Sequence, residues 1–264
     1  MSIYVVPTWH CNLHCPHCFV HTYKDEWNES LFLDKLKELR EKYPNEGFIL
    51  HGGEPTLYKD RYKTILDTGM IDSICSNLIV NDDIINDLNQ RDITIATSWN
   101  PKRFNNEMYI TWLNNIERLK NKPLVLITLD KDLIEYDKTT LLNHLNDMYA
   151  KGVTEVLFEP LVDNSLDDNF QHLADRYLCE LHKIWNVPIK SLIKEQILNW
   201  DMRCNSKTLL PNGNVRRGCI LGDECHKLLD KCLHCKFAEV CKPCVLHTRC
   251  SFYPEFYEMM KCEK

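Results

Sequence analysis

Six short, apolar runs punctuate the first 161 residues of this 264-residue chain, with helical patterns between them. They are SIYVVP (2–7), GFILH (47–51), DSICS (72–76), DITIAT (92–97), PLVLITL (123–129) and VTEVLFEPL (153–161). Runs of this length and composition predict strands buried on both faces. Phe32, Leu36, Leu39 and Tyr43 recur at helical spacing, as do Met108, Trp112, Ile116 and Leu119. A third stripe joins Leu166, Phe170, Leu173, Tyr177, Leu181 and Ile184. Six strand–helix repeats predict a parallel α/β sheet with right-handed crossovers. Six are too few to close the usual eight-stranded barrel, so the expected fold is a curved, open (β/α)6 partial barrel.

The bulk properties exclude several classes. Net charge is −6, and no run of Lys or Arg is long enough for a nucleic-acid footprint. No cationic n-region and apolar h-region open the chain, and no segment has the apolar length of a membrane span. The expectation is a cytoplasmic protein without nucleic-acid or membrane partners. Fourteen cysteines are then the anomaly, because a reducing compartment favours metal binding over disulfides. Three lie at 11, 15 and 18, and nine lie between 204 and 262. Cys75 and Cys179 stand alone, and Cys179, beside Leu178, is expected to be a small buried hydrophobe.

Chemistry in such folds gathers at the C-terminal ends of the strands. After the first strand stands HCNLHCPHCF (10–19), whose thiols and imidazoles suit zinc, copper or iron. A closed zinc set would draw four ligands from this mixture, whereas three thiolates on an iron–sulfur cluster would leave one iron open. After the second strand stands HGGEP (51–55), which spends two of only eight glycines side by side. Adjacent glycines predict a close backbone approach to a ligand, with the Glu54 carboxylate next to it.

Through Cys11, Cys15, Cys18, Phe19 and Gly52-Gly53-Glu54-Pro55, the chain resembles the radical S-adenosylmethionine (SAM) superfamily over its first 160 or so residues. The resemblance implies a partial TIM barrel and a [4Fe–4S] cluster held by the three cysteines. The open iron is chelated by the amino and carboxylate groups of SAM, and the GGEP-like turn contacts the methionine amino group. Phe19 packs near the cluster or the adenine. Ser76 and Asn77, after strand three, and Ser98 with Arg103, after strand four, are implied cofactor contacts. Asn100 stands where the family often has Asp. The cofactor's chemistry is homolysis of a C–S bond by an electron from an external donor of the flavodoxin or ferredoxin type.

The later cysteines run C-x14-C (204, 219), Cys225, C-x2-C-x5-C-x2-C (232, 235, 241, 244), Cys250 and Cys262. The gap of five is too short for a zinc ribbon, which spaces its knuckles by about 15 residues. The run resembles the SPASM extension of radical SAM enzymes, with Gly213 one residue farther from Cys219 than usual and x2 in place of x3 between Cys241 and Cys244. That resemblance implies one or two auxiliary [4Fe–4S] clusters. Cys204, Cys219 and Cys244 go to the first, and Cys232, Cys235, Cys241 and Cys262 to the second. Cys225 or Cys250 supplies a fourth ligand to the first, or its iron is open. The expected division is a barrel over 1–200 and a SPASM-like domain over 201–264.

SPASM enzymes mostly modify peptides or proteins, by crosslinking, epimerisation or oxidation. The formylglycine-forming members carry Asp after the second SPASM cysteine, where this chain has Ile220. No leader-binding winged helix is expected before strand one, so a peptide substrate calls for another docking surface or a separate docking protein. A small-molecule dehydrogenase is the alternative, and a non-catalytic iron–sulfur or zinc protein is the alternative of a different class. Asp130 and Glu159, at the ends of strands five and six, are placed to be substrate ligands or structural hydrogen-bond partners.

Overall fold

The structure, a computed structural model, describes residues 2–15, 18, 20, 23–24, 26–160, 168–192, 206–218, 235–237 and 254–262. The fold is α/β, with nine mostly parallel strands, consistent with a partial TIM barrel. The six expected strands are β1 (Ser2–Val5), β2 (Gly47–Leu50), β3 (Ser73–Cys75), β4 (Thr94–Trp99), β5 (Leu124–Leu129) and β6 (Glu155–Pro160). Three more were not expected from the sequence: β7 (Lys190–Ser191), β8 (Lys207–Leu209) and β9 (Val215–Arg217). Helices are α1 (Glu29–Lys42), α2 (Lys59–Asp67), α3 (Asp82–Gln90), α4 (Asn106–Arg118), α5 (Lys131–Ile134), α6 (Lys138–Ala150) and α7 (Asp168–Lys183). The last helix, α8, spans Pro254–Cys262.

The chain forms two compact units, one of Met1–Thr97, Asn114–Pro123 and Cys204–Glu224, the other of Ser98–Leu113, Leu124–Arg203 and Cys225–Lys264. In the first, the strand order is β4-β3-β2-β1-β8-β9. β8 pairs in parallel with β1, Ile3 opposite Lys207, and β9 returns antiparallel to β8. The turn between them places Gly213 at φ +82° with its Cα hard against Leu31 of α1, where a Cβ would lie 2.8 Å from the leucine Cβ. In the second unit, β5 pairs with β6 and β6 with β7, all parallel.

The strands are not buried evenly on both faces. In β1, Ile3 and Val5 are fully buried and Ser2 and Tyr4 only half so; in β5, Val125, Ile127 and Leu129 are fully buried and their neighbours half-buried. One face of each strand is buried, while the other retains solvent access, as an incompletely closed barrel requires. The α7 stripe also needs correction. Its buried set is Phe170, Ala174, Tyr177, Leu178 and Leu181, spaced i, i+4, i+7, i+8, i+11. Leu173 flanks that set, Ile184 lies beyond the helix end, and both are 45% exposed. Cys179 is half-buried rather than buried, and burial still pushes its thiol up to about 11.

Within this unit the N-terminus of α8 is capped by a remote side chain. Asp175, buried in α7, accepts the backbone N–H groups of Glu255 at 2.8 Å and Phe256 at 2.9 Å. Those are two of the donors a helix start leaves unsatisfied, and a carboxylate there also complements the helix dipole. Cys262 is the last residue of that helix. No described helix is long and apolar enough to cross a membrane.

Candidate functional site

The segment after β1 and the turn after β2 are laced together by backbone. Gly53 N–H donates to Thr8 O at 3.0 Å, and Glu54 N–H donates to His10 O at 2.8 Å. The two glycines make this possible. A Cβ on Gly53 would lie 2.1 Å from His10 O, and one on Gly52, at φ +139°, would lie 2.3 Å from Thr8 O. The close approach expected of this pair is therefore made to the chain's own backbone. Beneath it Val6, Trp9 and Val20 form an apolar cluster against which Cys11, Cys18, Tyr23 and Leu210 pack, with Trp9 stacked on Tyr23 at 4.4 Å.

Cys11, Cys15 and Cys18 are half-buried thiols on this loop. Cys18 N–H donates to Cys15 O at 3.0 Å, a tight turn between the second and third cysteine. His10 is exposed and hydrogen-bonds Tyr58 Oη through Nδ1 at 2.5 Å, and His14 is exposed too. Among the described residues, no three His, Cys, Asp or Glu side chains gather around a single point, as a closed zinc set requires. Thiolates that each bind a different iron of a cluster need not converge in that way. Phe19, Cys204, Cys219, Cys225, Cys232, Cys241, Cys244 and Cys250 lie outside the described residues, and Cys235 is exposed.

Glu54 turns inward. Its Oε1 accepts from Thr56 N at 3.2 Å, Thr56 Oγ1 at 2.6 Å and Ser76 Oγ at 3.0 Å, and Oε2 accepts from Asn77 N at 2.7 Å. The carboxyl is 1% exposed, and no Lys, Arg or His among the described residues pairs with it. Burial pushes its pKa above the usual carboxylate range, and the four hydrogen bonds pull it back. Glu54, Ser76, Asn77 and the cysteine loop thus form one constellation in the first unit. Pro55 follows, buried, and His51 precedes it with its imidazole held down to about 4 by burial, while Gly52 N–H donates to its Nδ1 at 2.7 Å.

The remaining sequence-derived positions belong to the second unit. Arg103 Nη1 donates to Ser98 Oγ at 2.7 Å, and its buried Nε has no partner among the described residues. Asn100 Nδ2 donates to Asp130 Oδ2 at 2.9 Å, and Asp130 Oδ1 accepts from Leu133 N, capping α5. Asp130 is therefore a structural partner. An Asp at position 100 would set two carboxylates against each other, which accounts for the amide in its place.

Glu159 is different. It lies on the face of β6 opposite Val156 and Phe158, across from Thr128 in register, and burial alone pushes its carboxyl up. A carboxyl raised in the folded state contributes stability at low pH that is lost as pH rises through its folded value. Glu159→Gln should therefore gain on the parent protein between pH 4 and pH 8, by about 1 kcal/mol at the upper end. Thermal unfolding of both proteins across that range checks this, and a gap that stays constant with pH would refute it.

The polar residues that hold the site together carry no motif. Asn12, Asn115 and Thr8 were not singled out by the sequence, and only their isolation in loops or on an otherwise apolar helix face could have marked them.

Residues 5–153 match the family described as the Radical SAM superfamily. A comparison with curated proteins finds no match. Among solved structures, the chain is similar to one described as native anSMEcpe with bound AdoMet and Cp18Cys peptide. The identity is 16%, the TM-score 0.63, and the match covers 99% of this chain and 95% of the other. At that identity the likeness is one of fold. The family match spans more than half of the chain and contains the cysteine loop, the GGEP turn and the Ser76-Asn77 pair: the chain belongs to the radical SAM superfamily, whose chemistry uses a [4Fe–4S] cluster and SAM.

Proposed function

We propose that this chain is a peptide- or protein-modifying radical SAM enzyme in which Cys11, Cys15 and Cys18 hold the cluster and the Gly52–Pro55 turn receives the cofactor's amino group. When bound, the cluster and SAM supply the electron and the 5′-deoxyadenosyl radical that abstracts hydrogen from substrate. The observation that carries the reading is Glu54. It is a buried carboxylate with no cation beside it among the described residues, bonded through its backbone to the cysteine loop. Burying an unpaired carboxylate is costly, and an ammonium group at Oε2, which accepts one hydrogen bond from the described residues, would offset that cost.

The other residues orient and exclude water. Val6, Trp9 and Val20 close the apolar side of the loop, and Phe19 is assigned to the cofactor by resemblance alone. Ser76 and Asn77 fix the Glu54 carboxylate. Ser98 and Arg103 are cofactor contacts by resemblance alone. The peptide substrate follows from the cysteine spacing after residue 203, which resembles the SPASM extension, and agrees with the peptide bound to the similar structure. An external flavodoxin- or ferredoxin-type protein supplies the electron, and another docking surface or a separate protein holds the peptide.

Anaerobic reconstitution tests the cluster assignment by stoichiometry. The intact protein should hold about twelve iron atoms in three clusters, and a variant with Cys11, Cys15 and Cys18 changed to Ala about eight. About four, with stoichiometric zinc, would make the C-terminal cysteines a zinc module. Mass spectrometry of short peptides incubated with the reduced enzyme and SAM tests the substrate class. Cofactor cleavage that only small molecules stimulate would overturn it.

A further inference from the structure

The carboxamide of Asn77 lies against the thiol of Cys11, and its orientation is fixed by backbone. Asn77 Oδ1 accepts Ile79 N–H at 2.8 Å, so Nδ2 points the other way, donating to Asn12 Oδ1 at 2.7 Å and to Cys11 Sγ at 3.7 Å. Asn12 is oriented by the same residue, since its Nδ2 donates to Ile79 O at 3.0 Å and leaves Oδ1 to accept. The N–H and C=O of Ile79 thus settle both amides, and neither is free to flip. Cys11 Sγ takes a further N–H from Leu13 at 3.4 Å.

The turn that carries Asn77 is itself over-determined. Leu78 has φ +56°, the one non-glycine with positive φ among the described residues, and its side chain is fully buried. A conformation of this kind costs on the order of 1 kcal/mol and persists only where its surroundings enforce it. Here Asn115 of α4 donates Nδ2 to Leu78 O at 2.9 Å and to Val80 O at 3.1 Å, and Ser76 Oγ accepts Leu78 N–H at 3.1 Å. Strain is held at the point where the loop meets the thiol.

We infer that Asn77 is a positioning residue that donates an N–H to the Cys11 thiolate and raises the reduction potential of the cluster that thiolate binds. This rests on the assignment of Cys11 as a cluster ligand. An added electron increases negative charge on the cluster and its sulfurs, so a fixed donor at Sγ stabilises the reduced form more than the oxidised one. Removing the donor makes reduction harder.

The test is an EPR-monitored redox titration of the reconstituted full chain without SAM. The relevant signal is the one lost in Cys11→Ala. Asn77→Ser retains a hydroxyl that can accept Ile79 N–H and so preserves the turn, but it cannot reach Cys11. It should load iron like the parent and shift the reduction equilibrium against reduction about tenfold, which is about 59 mV for one electron. Asn77→Asp, which keeps the acceptor and loses the donor, should shift in the same direction. An unchanged potential in a loaded variant would overturn the inference. If neither variant loads iron although both fold, Asn77 is a scaffold residue and the inference also falls. Survival of the signal in Cys11→Ala would instead overturn the ligand assignment, and the tuning role with it.

Discussion

Cys15→Ala is expected to abolish 5′-deoxyadenosine formation, by at least about a thousandfold, or ~4 kcal/mol of barrier. In the proposed assignment each of the three thiolates would hold one iron, and the substitution would leave a second iron without a protein ligand. The fold should survive. Cys15 is half-buried, its structural contribution is a backbone carbonyl that accepts Cys18 N–H, and Ala retains that carbonyl. Thermal unfolding of the apoprotein should therefore change by less than about 1 kcal/mol. The two measurements together separate loss of chemistry from loss of structure. SAM cleavage that persists in the variant under strict anaerobiosis would remove the central cysteines from the reaction.

The alternation of β1 to β6 with helices is legible in the sequence because each strand is a continuous apolar run, and the buried residues of α1 fall on one stripe. β8 and β9 are not legible. Their three residues each acquire strand form by pairing, Ile3 with Lys207 and Leu209 with Val215, and the first of these pairs is about two hundred residues apart in sequence. Nothing local in KTL or VRR announces that partner. β7, at two residues, is shorter still. The same division runs through the site. Cys11, Cys15, Cys18 and the GGEP turn are visible as spacing, because the proposed cluster and a tight turn demand fixed residue types at fixed intervals. The supports Asn12 and Asn115 are invisible, because they act through loops that only the fold brings together. Asp130 shows the limit from the other side. A carboxylate at a strand end has the same appearance in sequence whether it meets a ligand or, as here, caps the next helix.

The glycine pair shows the sequence and the site constraining one another, and Gly53→Ala should have the second large effect. The new Cβ would sit 2.1 Å from His10 O, 2.5 Å from His10 C and 2.6 Å from Trp9 O. All three are backbone atoms, so no side-chain rotation relieves the overlap; one of the two segments must move. Either movement breaks the Gly53-to-Thr8 and Glu54-to-His10 hydrogen bonds that hold the cysteine loop to the turn. The expected cost is about 3 kcal/mol of stability, with 5′-deoxyadenosine formation falling to background because loop and turn no longer keep their register. Gly47→Ala is the control. It lies at the start of β2, a Cβ there meets nothing within 4 Å, and the substitution should shift stability by no more than about 0.5 kcal/mol, in the stabilising direction if at all. Thermal unfolding, iron content and cofactor cleavage of the two variants side by side decide the matter. If Gly53→Ala is as stable and active as Gly47→Ala, the turn is not what fixes the cysteine loop, and the pairing of Glu54 with the cofactor loses its structural basis.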